Sequence, residues 1–279
     1  MDPAVSAYLD RVGLPTEVVS PPDADALARL QHAHVRSVPW ETFAVAGDPY
    51  GPAAGEGVSL ASEDLFEKLV ARERGGFCYE HNALFAAVLD ELGFDVSVRA
   101  AHMLDSGGNI GTPASHSALV VAVDDRRLLV DVGLGTPPMR RPTPLSGAER
   151  EDEAGVGWRV VASDRPDADV GTQYRRPGES TWNDRYVYRD VPREWGYFAA
   201  PCEYLTTAPE SPFADSPTAS LATPDGWVKL TADRLVERDG ERRIERPVDE
   251  SEWRERLRST FGLAPFGDGD GNENVGDDG

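Results

Sequence analysis

Cys78 lies in the segment Arg74-Gly75-Gly76-Phe77-Cys78-Tyr79-Glu80, and the stretch after it, HNALFAAVLDELGF, places Leu84, Phe85, Val88, Leu89 and Leu92 on one helical face. The two glycines read as the turn before a helix, with Cys78 in its first turn. Unpaired N–H groups and the positive end of the helix dipole favour a thiolate there, predicting a pKa below the free value of about 8.5. Such a cysteine suits nucleophilic attack. The competing fate is a small buried hydrophobe.

A thiol nucleophile needs a base within hydrogen-bond reach and a third group that orients the base. The chain has five histidines: His32, His34, His81, His102 and His116. His32 and His34, two residues apart in a helical region, read as surface or packing residues. His81 is one helical turn from Cys78 and within reach, but without an evident carboxylate. His102 has no pattern that decides its role. His116 opens the apolar strand of TPASHSALVVAV, and Asp131 stands in the otherwise apolar RLLVDVGLG. A carboxylate in such a run is costly unless paired. A tight turn at Asp124-Asp125 would bring the two strands together and His116 beside Asp131, giving a Cys78–His116–Asp131 triad. The alternative makes His116 a satisfied strand-end residue and Asp131 a turn former before Gly133. Cys202 has neither base nor helix start nearby and reads as packing. No CxxC pair, HExxH or other metal-ligand spacing occurs, so no metal is expected, and no GxxxxGK[ST] or GxGxxG offers a nucleotide loop.

The elements that must carry these residues change character along the chain. Residues 1–92 read as a helical bundle holding the nucleophile: SAYLDRVG, DADALARLQHAHVRSVP, a helix begun at Ser62 with Glu63 and Asp64 in its first turn, and the Cys78 helix. A Gly/Pro-rich loop fills 47–57. Residues 93–200 read as an antiparallel β-barrel carrying His116 and Asp131, with strands at VSVRAAHM, SALVVAV, RLLVDVG, WRVVAS and TWNDRYVY. Residues 201–266 hold further strands in WVKLTADRLVERDGERRIERPV and a helix, ESEWRERLRSTFGL, that Gly262 would end. Residues 267–279, almost all Gly, Asp and Asn, read as a disordered acidic tail.

The 279 residues carry 49 acidic against 28 basic side chains, a net charge of −21, which argues against nucleic acid or an anionic membrane as partner. No apolar run is long enough to cross a bilayer and the N-terminus does not read as a leader, so a cytoplasmic chain is expected. The lysines are Lys68 and Lys229 alone, and this acidic, lysine-poor balance fits a halophilic cytoplasm. GC-rich coding would produce the arginine bias equally well.

RGGFCYEHNALFAAVLDELGF resembles the Arg-Gly-Gly-aromatic-Cys-aromatic-Glu signature of the arylamine N-acetyltransferases. His116 and VDVGLG match that family's next two segments, and the separations of 38 and 15 residues are its own. LQHAHVRSVPWETF, Ser211-Pro212-Phe213 and the closing FGL extend the resemblance over about residues 1–265. It implies an α+β fold of N-terminal helical bundle, central antiparallel β-barrel and C-terminal α/β lid, with a cysteine-protease-like Cys-His-Asp core. It also implies acetyl-CoA as acyl-donor substrate, no permanently bound cofactor, and an arylamine, hydrazine or N-hydroxyarylamine as acceptor in a ping-pong acetyl-cysteine mechanism. CoA is expected between barrel and lid. Trp40, Phe77 and Leu134 are the candidate pocket residues. Leu134 replaces the family's usual aromatic, Trp40 and Thr42 alter its Pro-Phe-Glu-Asn stretch, and Pro137-Pro138 stiffen the pocket loop. Arg74 and Glu80 would pair to brace the turn.

Other readings remain. A transglutaminase-like or papain-like thiol hydrolase would share the triad and attack amides, an amide synthase would use a larger acyl chain, and a non-catalytic binding module would need a broken triad or an occluded cysteine. Neither the oligomeric state nor the physiological amine is written in the sequence.

Overall fold

The computed structural model describes residues 2–214, 217–264 and 266; the expected acidic tail, 267–279, lies outside the described residues. The N-terminal part contains α1 (Pro3–Val12), α2 (Ala24–Ser37), the short α3 (Phe43–Ala46), α4 (Ser62–Phe66) and α5 (Cys78–Glu91). Asp2 and Asp23 cap α1 and α2 by accepting from the amides of Ala4 and Ala26, and Gly13 ends α1 in the left-handed region. Ala61, not Ser62, occupies the N-cap of α4, which makes no side-chain cap bond and runs into a π turn at Glu67–Ala71. Tyr8, Leu9, Leu27, Leu30, Leu69, Leu84, Phe85 and Leu89 join in one core around α5.

Eight strands follow: β2 (Asp95–Met103), β3 (His116–Val123), β4 (Arg126–Val130), β5 (Thr143–Pro144), β6 (Arg150–Glu151), β7 (Gly157–Ala162), β8 (Val170–Arg175) and β9 (Asn183–Arg193). Their order is β5-β4-β3-β2-β9-β8-β7-β6, antiparallel throughout, and β5 lies against β7, so the sheet nearly closes into a barrel. Alternation sorts the side chains. Ala101, Ala118, Leu129, Trp158, Val160, Tyr186 and Tyr188 fill the barrel, while Val98, Leu119, Val121, Leu128 and Val130 face the helices.

The last part comprises α6 (Ala199–Thr207), β10 (Thr218–Thr223), β11 (Gly226–Thr231), β12 (Arg234–Asp239), β13 (Arg242–Pro247) and α7 (Glu250–Phe261). Cys202 and Leu205 of α6 belong to the helical core. A two-residue strand in the N-terminal part, β1 (Trp40–Glu41), joins the C-terminal strands in the order β1-β10-β11-β12-β13. Packed on this sheet, α7 buries Trp253 edge-on to Phe43 and Tyr50. Asp249 caps α7 and Gly262, at φ 66°, ends it. The strands β1, β5, β6, β8 and β10 and the helix α6 have no counterpart in the sequence-based expectations.

Candidate active site

The sequence around Cys78 is explained by close packing. A Cβ on Gly75 would strike the carbonyl of Pro39, because β1 runs against the turn and Trp40 bridges Gly76. Phe77 is extended at the N-cap of α5, and Glu80 accepts from its amide at 3.0 Å. Lys68 pairs with the same carboxylate at 2.7 Å, both groups buried. Arg74 does not meet Glu80: it pairs with Glu41 and Glu56, each at 2.9 Å. The brace expected from one pair is therefore two, and each draws its partner from another segment.

Cys78 is the first residue of α5 and is buried. Its sulfur lies 4.0 Å from the carbonyl of Ser115. Burial, and after it the carboxylate of Asp131, push the thiol well up, while a hydrogen bond from the Tyr79 amide pulls the other way. The lowering expected from the helix start is thus outweighed. A thiolate here needs a cation beside it.

His116 opens β3 and Asp131 follows the last residue of β4. Asp124 and Asp125, at φ 50° and 56°, form the two-residue turn between the strands. The register, Leu119 opposite Val130, puts His116 and Asp131 diagonally on one face. His116 Nε2 lies 2.7 Å from Asp131 Oδ2, leaving Nδ1 for another partner. Asp131 Oδ1 accepts from Asn82 Nδ2 and from the Gly133 amide, both at 3.0 Å. Tyr186 covers the imidazole, its ring centroid 5.2 Å away.

Asn82 was not singled out in the sequence. It stands one turn beyond Cys78, donates also to Ser117 O at 2.7 Å, and accepts from the Val132 amide at 3.1 Å. It therefore joins the helix of Cys78 to both strands. A Cβ on Gly133 would come within 2.6 Å of Cys78 O and 2.7 Å of Asn82 Nδ2, so only glycine lets the strand end approach α5. The only sequence signal for either residue was proximity to the two motifs.

The other histidines are accounted for. His81 donates from Nε2 to Pro39 O at 3.1 Å and accepts at Nδ1 from His34 at 2.8 Å, while His34 accepts from Tyr8 OH at 2.8 Å. Burial first, then His81 and Arg11, hold the His34 pKa well down, and burial takes His81 to about 4. Both stay neutral at physiological pH, in a wire leading away from Cys78. His102 accepts from the Ala114 amide at 2.9 Å, and His32 pairs with Glu153 at 2.7 Å, partly exposed. Among the described residues no group of His, Cys, Asp and Glu could hold a metal.

Cys78 and His116 open on one cavity of about 270 Å³. Trp40 and Leu134 line it, as do Gly135 and Thr136 of the proline-stiffened loop. Phe77, expected on the wall, is fully buried behind it, edge-on to Tyr79 and to Phe213, which does reach the cavity. The N-cap backbone turns the Phe77 side chain inward. Sequence reasoning missed Ser115, the neighbour of His116, and Arg185, Thr218, Ser220 and Lys229, contributed from distant strands.

A family model described as N-acetyltransferase matches residues 23–265. The chain is 34% identical over 242 residues to an arylamine N-acetyltransferase of Mycolicibacterium smegmatis, covering 85% of this chain and 83% of that one. It is 31% identical over 192 residues to proansamycin X synthase of Amycolatopsis mediterranei (strain S699), covering 68% and 69%. The solved structure of Mycobacterium marinum arylamine N-acetyltransferase in complex with CoA matches with a TM-score of 0.79 and 26% identity, covering 93% and 92%. By sequence and by fold, the chain belongs to the arylamine N-acetyltransferase family.

Proposed function

We propose that the protein transfers acetyl from acetyl-CoA to arylamines, hydrazines or N-hydroxyarylamines through an acetyl-Cys78 intermediate. The observation that carries this reading is the 2.7 Å His116–Asp131 pair opening on the same cavity as a cysteine at a helix start.

His116 takes the thiol proton through Nδ1, and its imidazolium, held by Asp131, supplies the cation that the buried sulfur needs. The thiolate attacks the thioester carbonyl, the tetrahedral intermediate collapses, and CoA leaves with the proton from His116. The amine then attacks acetyl-Cys78, His116 removes its proton, and the Cys78 thiolate departs. Asp131 stabilises the imidazolium without itself being protonated. First-turn amides of α5 serve the oxyanion, a kind of donor worth about 3 kcal/mol elsewhere. Trp40 and Leu134 shape the acceptor pocket, and acetyl-CoA binds as a substrate, with no resident cofactor in the chemistry.

The cavity of about 270 Å³ favours an acetyl group and one ring over a long acyl chain, the alternative suggested by the synthase relative. Among the described residues no contact in the site favours an amide hydrolase. Two unpaired cysteines fit a reducing cytoplasm. The net charge of −21 fits one rich in salt, a reading that full stability without molar salt would remove.

Initial-rate kinetics test the function. Varying acetyl-CoA and an arylamine should give parallel double-reciprocal lines, whereas intersecting lines would point to a ternary complex and direct transfer.

A further inference from the structure

Lys229 of β11 lines the same cavity of about 270 Å³ as Cys78 and His116. It stands in a cross-strand row with Trp40 of β1 and Ser220 of β10, and this row delivers it to the wall. Arg185 of β9 reaches the cavity from the barrel side. The two lysines of the chain are held in opposite ways. Lys68 is buried and paired with Glu80 at 2.7 Å. Lys229 forms no ion pair or side-chain hydrogen bond among the described residues, although the chain carries 49 acidic side chains against 28 basic. A carboxylate partner would hold the proton on its amine, and none is there. Burial and, after it, the charge of Arg185 lower the pKa of Lys229 and enrich the free amine. Desolvation beside a second cation is an arrangement that makes a lysine nucleophilic.

We propose that Lys229 is a self-acetylation site, which takes the acetyl group from Cys78 when no acceptor amine fills the cavity. The inference rests on the acetyl-transfer reading, because acetyl-Cys78 is the donor. The flexible four-carbon stem of Lys229 has only this small cavity to cross. The electron pair of the neutral Nζ forms a C–N bond to the thioester carbonyl, the C–S pair goes to Cys78 Sγ, and the amine proton passes to His116 Nδ1. Cys78 and His116 are left as a thiolate and an imidazolium, and no further reagent is consumed. An amide is more stable than a thioester, so the acetyl group does not return. It cancels the charge of Lys229 and fills space that an acceptor would use. The shift is slow beside the loading of Cys78, because Lys229 must first shed its own proton. Brief incubation therefore leaves the acetyl group on Cys78, and prolonged incubation without an acceptor moves it.

The test loads the protein with one equivalent of isotopically labelled acetyl-CoA, removes the CoA and follows intact mass before and after hydroxylamine, which cleaves a thioester and spares an amide. The resistant label should grow at the expense of the labile one, map to Lys229 and not to Lys68, and be lost when an arylamine is supplied from the start. Lys229→Arg keeps the charge without the nucleophile, and its label should stay labile. Label that stays labile in the wild type overturns the proposal, as does resistant label of equal extent in Lys229→Arg. Acetyl-Lys229 formed equally in Cys78→Ala also overturns it, since the acetyl group would then come straight from the donor. Loading with 4-nitrophenyl acetate separates the two readings. If this ester acetylates Cys78 where acetyl-CoA does not, and the label then moves to Lys229, the self-acetylation site stands and transfer from acetyl-CoA is refuted.

Discussion

Asn82 donates to Asp131 Oδ1 at 3.0 Å, and this bond fixes the carboxylate that holds His116 to the helix that carries Cys78. Three elements distant in sequence are thereby set in one register. Asn82→Ala should lower kcat about tenfold or more, with KM for acetyl-CoA much less affected, and cost about 1–3 kcal/mol of stability because Val132 N and Ser117 O lose their partner. Steady-state kinetics with a thermal melt checks this. Unchanged kcat in a destabilised variant would reduce Asn82 to packing.

Asp131→Asn keeps the shape and removes the charge. The rate should fall by about three to four orders of magnitude, as for the equivalent change in a serine protease triad, while the fold, followed by circular dichroism, stays. Full activity would take Asp131 out of the machinery.

Gly133→Ala adds a Cβ that meets Cys78 O and Asn82 Nδ2. Overpacking should cost about 1–3 kcal/mol and displace the strand end from α5, lowering Tm and activity together. A variant with wild-type Tm would show that this approach is looser than described.

Lys68→Met leaves Glu80 buried and unpaired. The pKa of Glu80 is raised chiefly by burial, with Lys68 opposing. Loss of Lys68 should cost about 3–5 kcal/mol at neutral pH and raise that pKa further. A raised folded pKa means the folded state binds more protons than the unfolded chain, so the deficit should shrink as pH falls into the carboxylate range. Melts from pH 7 to 5 would show this, and a deficit independent of pH would contradict it.

Asp190 behaves oppositely. Hydrogen bonds from Arg127 first, then Arg99, hold it at about 2. The folded pKa is below the unfolded value of about 3.9, so this tie between β9, β2 and β4 stabilises above about pH 4 and fades as pH falls toward 2. Asp190→Asn should be less stable than wild type at pH 7 and lose less stability between pH 4 and 2. Parallel acid-unfolding curves would refute the assignment.

How much of this was legible depends on how local the signal was. Cys78 at a helix start, the turn at Asp124-Asp125 and the terminator Gly262 are written in neighbouring residues, and each is where the pattern put it. The thiol's environment was misjudged, because burial and Asp131 come from tertiary packing that the dipole argument leaves out. The strand Thr218–Thr223 (TASLAT) has little β-branched character, and it forms because it pairs with β11 on one side and Trp40–Glu41 on the other. That pairing carries Trp40, Ser220 and Lys229 to the site. Arg74 lay six residues from Glu80, yet its acids were Glu41 and Glu56, brought in by β1 and the loop after α3. Phe77 was judged by adjacency to Cys78, and the N-cap conformation turns its ring away.

The most direct measurement is the intact mass of the purified protein after incubation with acetyl-CoA alone, then with an arylamine added, for wild type and Cys78→Ala. One acetyl group should appear on the wild type, map to Cys78, be absent from the variant and vanish when the amine is supplied. A folded wild type that takes no acetyl group, or a Cys78→Ala protein acetylated to the same extent, would contradict the account.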